Sequence, residues 1–292
     1  MAHLVLDQKA TLGEGALWDH HNKVLYWVDI EKGRLYLYDP SKDKNREFDL
    51  GQRVGTVVPV NTGGVLVALQ DGIYHFNPGT GEKQKMVHPE NDIPGNRYND
   101  GKCDPAGRFW VGSMGLKAQK HAAALYRIDP GFSWKKMIDK VTISNGIVWS
   151  IDQTQMYFID TPTGKVMAYD YDNQTGNISN PRVAIEVPAQ LGHPDGSTLD
   201  AEGKLWIAMF RGYAVTRWDP ETGKLMERIE IPAPNVTSCA FGDTNLKTLY
   251  ITTARAGMSE EQLQVYPHSG GLFKVKPGVK GIKANYFKSF DA

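Results

Sequence analysis

The feature that most constrains this fold is a short β-rich segment that recurs along the chain at a nearly constant interval. Each of its six copies has an aromatic residue or leucine at the same place, and these markers are Tyr26, Leu66, Phe109, Tyr157, Leu205 and Tyr250. Successive markers lie 40, 43, 48, 48 and 45 residues apart. A repeat of this length is typical of folds built from identical supersecondary units, such as propellers and solenoids.

Each copy is followed by a second segment in which apolar and polar residues alternate, the pattern of a half-buried strand. Several of these segments end in a turn signal, as at Asp39-Pro40, Asn77-Pro78, Asp129-Pro130 and Asp219-Pro220. No helical pattern separates the strands, which argues against a doubly wound fold. A β-sandwich would not predict a regular sixfold repeat. We therefore predict an all-β fold, a six-bladed β-propeller that forms one domain over residues 1–292.

A propeller must also close its ring. The apolar run Leu4-Val5-Leu6 precedes the first repeat, whereas the last repeat needs an outer strand. We expect this run to supply that strand.

Charge and composition exclude several classes of protein. The 292 residues contain 33 Lys+Arg and 33 Asp+Glu, so the basic excess expected of a nucleic-acid binder is missing. The sequence contains no run of 18 apolar residues, so we expect no transmembrane helix. The first residues lack the basic region and the long apolar region of a signal peptide. The only cysteines, Cys103 and Cys239, do not make a disulfide framework. We expect a cytoplasmic protein, a monomer or weak dimer, with no nucleic-acid or membrane partner and with both cysteines buried.

Polar residues recur at one phase of the repeat, directly before a glycine, and they are Glu14, Asp100, Asn145 and Asp195. A single Asp-Gly or Asn-Gly pair is a common turn signal. Four oxygen-bearing side chains at one phase would instead meet at one mouth of the channel, where carboxylates repel each other unless a cation is present. Such ligands suit Ca²⁺, Mg²⁺ or Mn²⁺, and Zn²⁺ and Fe²⁺ also accept oxygen.

The residues around these positions also resemble the signatures of the regucalcin/gluconolactonase (senescence marker protein) family. The resemblance spans the chain and is carried by Leu12-Gly13-Glu14-Gly15, Asn96-Arg97-Tyr98-Asn99-Asp100-Gly101-Lys102, Ser144-Asn145-Gly146 and Pro194-Asp195-Gly196. It implies a six-bladed propeller with one divalent metal at the channel mouth. It also implies activity on lactones of sugar acids, and some members are described as calcium-binding.

By this resemblance, Glu14, Asn145 and Asp195 match the metal ligands. Asp195 is also the best candidate for the general base, because a carboxylate beside a metal-bound water could accept its proton. Arg97 and Asn99 match residues that hold substrate hydroxyls. The repeat phase alone would select Asp100 in place of Asn99. Following the family, we place Asp100 behind the site.

The chain departs from the family pattern in its third repeat. Some relatives have an acidic residue shortly after the methionine there, whereas this chain reads Met114-Gly115-Leu116-Lys117. Lys117 and His121 are therefore candidates for the rim of the site. His193, two residues before Asp195, is another candidate, although a surface loop would equally explain it.

The leading functional hypothesis is a metal-dependent lactonase for aldonolactones such as glucono-, galactono-, arabino- or xylonolactone. No Gly-x-Ser-x-Gly motif supports a serine hydrolase. One alternative is a calcium-binding regulatory protein in which calcium affinity is itself the function. Another is a propeller that serves as an interaction platform, and the clustered Glu14, Asn145 and Asp195 argue against it.

Overall fold

The computed structural model describes residues 2–289, and its regular structure is almost entirely antiparallel β-strand. The strands form consecutive groups of four. The first three groups are β2–β5 (Gly13–Asp19, Val24–Asp29, Arg34–Asp39, Lys44–Asp49), β6–β9 (Val54–Pro59, Val65–Leu69, Gly72–Phe76, Lys83–Val87) and β10–β13 (Asn96–Cys103, Phe109–Gly115, Ala123–Ile128, Trp134–Val141). The next two are β14–β17 (Ser144–Trp149, Gln155–Asp160, Lys165–Asp172, Asn177–Glu186) and β18–β21 (His193–Leu199, Leu205–Phe210, Ala214–Asp219, Lys224–Glu230).

The sixth group combines the two ends of the chain. It consists of β22 (Asn235–Gly242), β23 (Thr248–Ala254), β24 (Leu272–Val275) and β1 (His3–Leu6). β1 pairs antiparallel with β24, Leu4 opposite Phe273 and Leu6 opposite Leu272. The prediction that the opening run supplies the outer strand of the last repeat is therefore confirmed.

Helical structure is sparse within residues 2–289. It consists of two 3₁₀ turns, Thr161–Thr163 and Ala189–Leu191, and the helix α1 (Glu260–Val265). The all-β prediction is thus confirmed. Over residues 2–289, no helix has the length and apolar character needed to cross a membrane.

The groups follow one another in a cycle. The first strands of successive groups contact each other in the order β2, β6, β10, β14, β18 and β22, and β22 contacts β2 again. Four groups are separate sheets, while the fifth and sixth are joined through the single pair Phe210–Asn235. A hydrophobic cluster lies between each group and the next, including one between the sixth and the first.

Burial falls from the first strand of a group to the fourth. Every residue of β2, β6, β14 and β22 is buried, whereas β5, β9 and β21 are mostly exposed. The exposed strands are rich in charge, as in Lys-Gln-Lys-Met-Val of β9. Charged side chains on an edge strand discourage pairing with another molecule. Cys103 and Cys239 are both buried and free, as predicted.

A segment near the C-terminus crosses the end of the ring at which the first strands finish. This C-terminal strap, residues 280–288, contacts turns between the first and second strands of five groups. Its hydrogen bonds join Lys280 to Ala201, Gly281 to Leu246, Tyr286 to Asp19, Phe287 to Pro59 and Asn61, and Lys288 to Gly107. The strap therefore covers the mouth of the ring at which the first strands end. The first strands begin at the other mouth, which the strap does not cover.

Candidate metal centre

A β-bulge interrupts the pairing of every first strand with its second strand, and it lies at the same place in all six groups. The register shifts fall between Glu14 and Leu17, Val54 and Thr56, Tyr98 and Gly101, Asn145 and Ile147, Pro194 and Ser197, and Val236 and Ser238. A bulge bends its strand and re-aims a side chain. Glu14 and Asn145 are the last paired residues before their bulges, whereas Asp100 and Asp195 lie within theirs. All four therefore lie at or next to the level of the bulges, near the open mouth of the ring.

Val54 and Val236 are the last paired residues before the bulges of the second and sixth groups, where the first and fourth groups have Glu14 and Asn145. Both valines are fully buried. The second and sixth groups therefore place an apolar side chain where the first and fourth place a polar one.

The glycine after the bulge residue is required by close packing of adjacent first strands. A Cβ added to Gly146 would lie 2.8 Å from the carbonyl oxygen of Asp195, and one on Gly196 would lie 2.8 Å from that of Thr237. Real Cβ atoms do not approach a backbone oxygen so closely. Glycine here lets neighbouring groups bring their polar side chains together.

The three carboxylates at this level are almost fully buried. Glu14 accepts a hydrogen bond from the amide of Gly15 at 2.9 Å, and Asp100 accepts one from the amide of Gly101 at 2.8 Å. One oxygen of Asp100 (Oδ2) and one of Asp195 (Oδ1) have no hydrogen-bond partner within residues 2–289. Buried polar atoms are normally paired, so both oxygens are free to accept a bond from water, a cation or a substrate.

The pKa values of these three acids are raised because the acids are buried and close to one another. Burial, reinforced by the charge of Asp100, raises the pKa of Glu14 to about 8. Burial also raises the pKa of Asp195 well above its usual range, and the charges of Glu14 and Asp100 act in the same direction. Burial raises the pKa of Asp100, against the opposing charge of Lys102. Within residues 2–289, the charges of Lys102 and Arg97 oppose these increases in pKa but do not outweigh burial and the repulsion between the acids.

Arg97 lies beside these acids and is itself buried. Burial lowers the pKa of its guanidinium to about 10, while the charges of Glu14 and Asp195 act in the opposite direction. Its Nη1 donates to Asn99 Oδ1 at 2.6 Å and to the carbonyl oxygen of Tyr98 at 3.0 Å. The bond to Asn99 begins a chain of side-chain hydrogen bonds that crosses three groups.

The hydrogen-bond chain continues through the amide of Asn145. Asn99 Nδ2 donates to Asn145 Oδ1 at 3.0 Å and to the carbonyl oxygen of Ser144 at 2.7 Å. Asn145 Nδ2 donates to Thr161 Oγ1 at 2.8 Å, and Thr161 donates onward to the carbonyl oxygen of Pro194 at 2.8 Å. The chain orients the Asn145 amide so that its oxygen stays on the side of Asn99.

Thr161 is a member of this site that the sequence patterns did not reveal. It lies in the 3₁₀ turn after β15, outside the phase of the repeat that marks the polar residues. Its hydroxyl connects Asn145 to the residue just before Asp195. No periodic signal could have identified it.

The three candidate rim residues are exposed. Lys117 and His121 lie in the loop between β11 and β12, and His193 is the first residue of β18. All three are at the open mouth, but the described structure gives none of them a hydrogen bond to the buried acids. The structure therefore brings together Glu14, Arg97, Asn99, Asp100, Asn145 and Asp195, and leaves Lys117, His121 and His193 outside that cluster.

The donor chemistry of the cluster fits a hard divalent cation. No three His, Cys, Asp or Glu side chains in residues 2–289 converge into a metal-binding group. The predicted set contains only two such residues, because its third member is the amide of Asn145. Glu14 and Asp195 offer carboxylate oxygens, of which Asp195 Oδ1 is unpaired, and Asn145 offers an oriented amide oxygen. Oxygen ligands of this kind are typical of calcium, magnesium and manganese sites.

Known proteins resemble this chain over most of its length. A family model described as "SMP-30/Gluconolactonase/LRE-like region" matches residues 12–255. The chain is 39% identical over 275 residues to the Bacillus subtilis protein named "Putative sugar lactone lactonase YvrE", with 94% of each chain covered. It is 39% identical over 281 residues to regucalcin of Danio rerio, with 95% of each covered. The solved structure of an Agrobacterium tumefaciens regucalcin, described as a calcium-binding protein, matches with a TM-score of 0.94 and 28% identity, covering 98% of this chain and 97% of that one.

Proposed function

Because this chain belongs to the SMP-30/gluconolactonase/LRE-like family, we propose that it is a lactonase that hydrolyses lactones of sugar acids with one divalent cation. The observation that carries the proposal is the convergence of Glu14, Asn145 and Asp195 at the open mouth, with one carboxylate oxygen left unpaired. The names of the relatives support a lactonase. Candidate substrates are glucono-, galactono-, arabino- and xylonolactone.

The architecture that we propose for this enzyme is a six-bladed propeller in a single domain. The cyclic contacts of the first strands and the six hydrophobic clusters between successive groups support this interpretation. Each group of four strands would be one blade. The cytoplasmic location and the monomeric or weakly dimeric state remain predictions.

Glu14, Asn145 and Asp195 would hold the cation, which is Ca²⁺, Mg²⁺, Mn²⁺, Zn²⁺ or Fe²⁺. When bound, it supplies Lewis acidity that polarises the lactone carbonyl and lowers the pKa of water. Asp195 would accept the proton of the attacking water, because its unpaired Oδ1 lies within the cluster. Because the Asn145 amide is neutral, it would not reduce the positive charge of a bound cation, which would remain a strong Lewis acid.

Arg97 and Asn99 would orient the substrate. Only Nη1 of Arg97 is used within the described residues, so the guanidinium keeps donors for lactone hydroxyls. Both donor positions of Asn99 are directed to Ser144 and Asn145. Its oxygen already accepts from Arg97 and has a second lone pair, so we expect it to accept from a hydroxyl of the sugar.

A panel of sugar lactones, assayed on protein stripped of metal and then loaded with one cation at a time, tests the proposal. We expect ring opening with at least one cation and its loss on metal removal. Asp195→Ala should lower kcat by roughly 10²- to 10⁴-fold, the usual contribution of a general base. Asp152→Asn, which changes an exposed turn aspartate, is the matched control. Full activity after verified metal removal would contradict metal dependence, and wild-type turnover in Asp195→Ala would contradict the role of Asp195.

A calcium-binding regulatory protein is the second candidate, because structural and sequence relatives carry the name regucalcin and one is described as calcium-binding. It predicts calcium affinity that depends on Glu14 and Asp195 without turnover of any lactone in the panel. The same experiment therefore separates the two functions.

A further inference from the structure

A cavity of about 260 Å³ lies at the opposite end of the ring axis from the metal centre. Its walls come from the last residues of the first strands, including Leu17, Trp18, Val148, Trp149, Ala240 and Phe241. A strand advances by about 3.3 Å per residue, so these positions lie roughly 10 Å along their strands from the bulges. Ile282 and Ala284 of the C-terminal strap form part of the lining.

The lining is mostly apolar, and it includes three aromatic side chains. The rim is mixed, because Ile151 and Ile282 line the cavity and remain 52% and 40% exposed, and the exposed polar residues Gln153 and Lys283 lie in the same lining. A concave lining of hydrophobic and aromatic side chains with a few polar groups is typical of a small-molecule site. An engineered apolar cavity of about 150 Å³ holds benzene. This larger cavity has room for an aromatic ring and a short substituent.

The charges in the lining have one sign. Lys102 and Lys283 line the cavity, and no Asp or Glu within residues 2–289 does so. Lys102 is partly buried on β10, and its ammonium donates to the carbonyl oxygen of Ser197 on β18. An ammonium has three donors. Since this is the one hydrogen bond that the described structure gives it, two donors remain for a ligand.

We propose that this cavity is a second ligand site, which takes a small monocarboxylic acid with an aromatic or branched apolar body. The carboxylate accepts hydrogen bonds from Lys102, and the apolar body packs between Trp18, Trp149 and Phe241. A charged hydrogen bond in a site with low dielectric surroundings is stronger than one in water. The lining contains none of the proposed metal ligands Glu14, Asn145 and Asp195, and the second site does not depend on the lactonase proposal.

Calorimetric titration of the full-length, cation-loaded protein tests this site with benzoate as the probe. Benzyl alcohol serves as its neutral analogue, and gluconate as a competitor for the metal centre. We expect benzoate to bind one to one, with an affinity unchanged by saturating gluconate and at least tenfold higher than that of benzyl alcohol. Absence of benzoate binding, or its displacement by gluconate, would overturn the proposal.

Two variants locate the binding site. Lys102→Met should remove the preference for benzoate over benzyl alcohol, and Ala240→Phe should fill the cavity and abolish binding of both. Lys280→Met changes a strap lysine outside the lining and should leave both affinities unchanged. If Ala240→Phe fails to fold, Lys102→Met decides the matter, because an unchanged preference in that variant contradicts the proposed contact.

Discussion

Glu14 is almost fully buried, and burial with the charge of Asp100 raises the pKa of its carboxyl group to about 8. An ionised group in this position destabilises the folded protein unless a cation offsets its charge. The same holds for Asp195, whose pKa is also raised by burial. The residues proposed as ligands therefore lower the stability of the metal-free protein, as is common where function requires crowded charges.

The first prediction concerns how the stability of the metal-free protein depends on pH. A carboxyl group whose folded pKa is raised stabilises the folded state below its ordinary pKa of 4.5, and that stabilisation is lost as the pH rises through about 8. The free energy of unfolding of the metal-free protein should fall across this window, by up to about 1.4 kcal/mol per pH unit for one group. Urea unfolding at several pH values measures it. Glu14→Gln should flatten the dependence and exposed Glu82→Gln should not; an equally steep decline in Glu14→Gln would refute the assignment.

The second prediction concerns Thr161, which accepts a hydrogen bond from Asn145 and donates to the carbonyl oxygen of Pro194. Thr161→Val keeps the shape of the side chain and removes both bonds. Loss of a partner that orients a metal ligand typically costs about 10- to 100-fold in metal affinity. Calorimetric titration with the preferred cation should show such a loss. Thr163→Val, an exposed change in the same turn, should bind the cation as the wild type does.

At the scale of the strand, the bulge determines where the site forms. All six first strands deviate from regular pairing near their start, and in four of them a polar residue considered for the site lies at or next to the bulge. The glycine that follows permits the next strand to approach. Glycine in an ordinary strand is destabilising. Its presence here reflects the crowding of first strands around one axis.

A third prediction follows for Gly146, where an added Cβ would lie 2.8 Å from the carbonyl oxygen of Asp195. Gly146→Ala should displace β18 relative to β14, destabilise the protein by about 1–3 kcal/mol and weaken cation binding. Gly95→Ala is the matched control, because nothing lies within 4 Å of a Cβ at that position. Thermal unfolding and cation titration of both variants test this. Wild-type affinity and stability in Gly146→Ala would show that the strands are not so tightly packed.

At the scale of the whole molecule, stability depends on a cycle of similar interfaces between groups. Trp18 stacks on Tyr250 between the first and sixth groups with 6.2 Å between ring centroids, and Trp110 contacts Trp149 edge-on between the third and fourth at 5.8 Å. The sixth group differs from the others because it contains both the first strand of the chain, β1, and the last, β24. The pairing of β1 with β24 therefore joins the start of the chain to its last repeat.

The fourth prediction concerns this closure. Deletion of residues 2–8 removes β1 and exposes the edge of β24, so we expect a melting temperature lower by several degrees and a tendency to associate through the free edge. Deletion of Ala2 alone, which lies before β1, removes its contact with the cluster between the fifth and sixth groups and should lower the melting temperature much less. Calorimetry and light scattering measure the two results. An unchanged melting temperature after the longer deletion would mean that β1 does not contribute to closure.

The amino-acid sequence by itself determined the strand content, the number of repeats, the outer-strand role of Leu4-Val5-Leu6 and the family. These features are encoded locally, because the alternation of apolar and polar residues and the glycine-containing turns recur within each repeat. The phase of the repeat also selected Glu14, Asp100, Asn145 and Asp195, and the roles of these residues stay predictions. What the sequence left open is how each of these side chains is paired.

Only the tertiary structure decided the features that depend on residues remote in sequence. The hydrogen-bond chain from Arg97 through Asn99 and Asn145 to Thr161 crosses groups and follows no period. The C-terminal strap has no strand pattern, and its contacts with five groups become evident only when the ring is assembled. The cavity beneath it lies between elements rather than within one. A pattern confined to a single repeat cannot specify such features, because they exist only where several repeats meet around the axis.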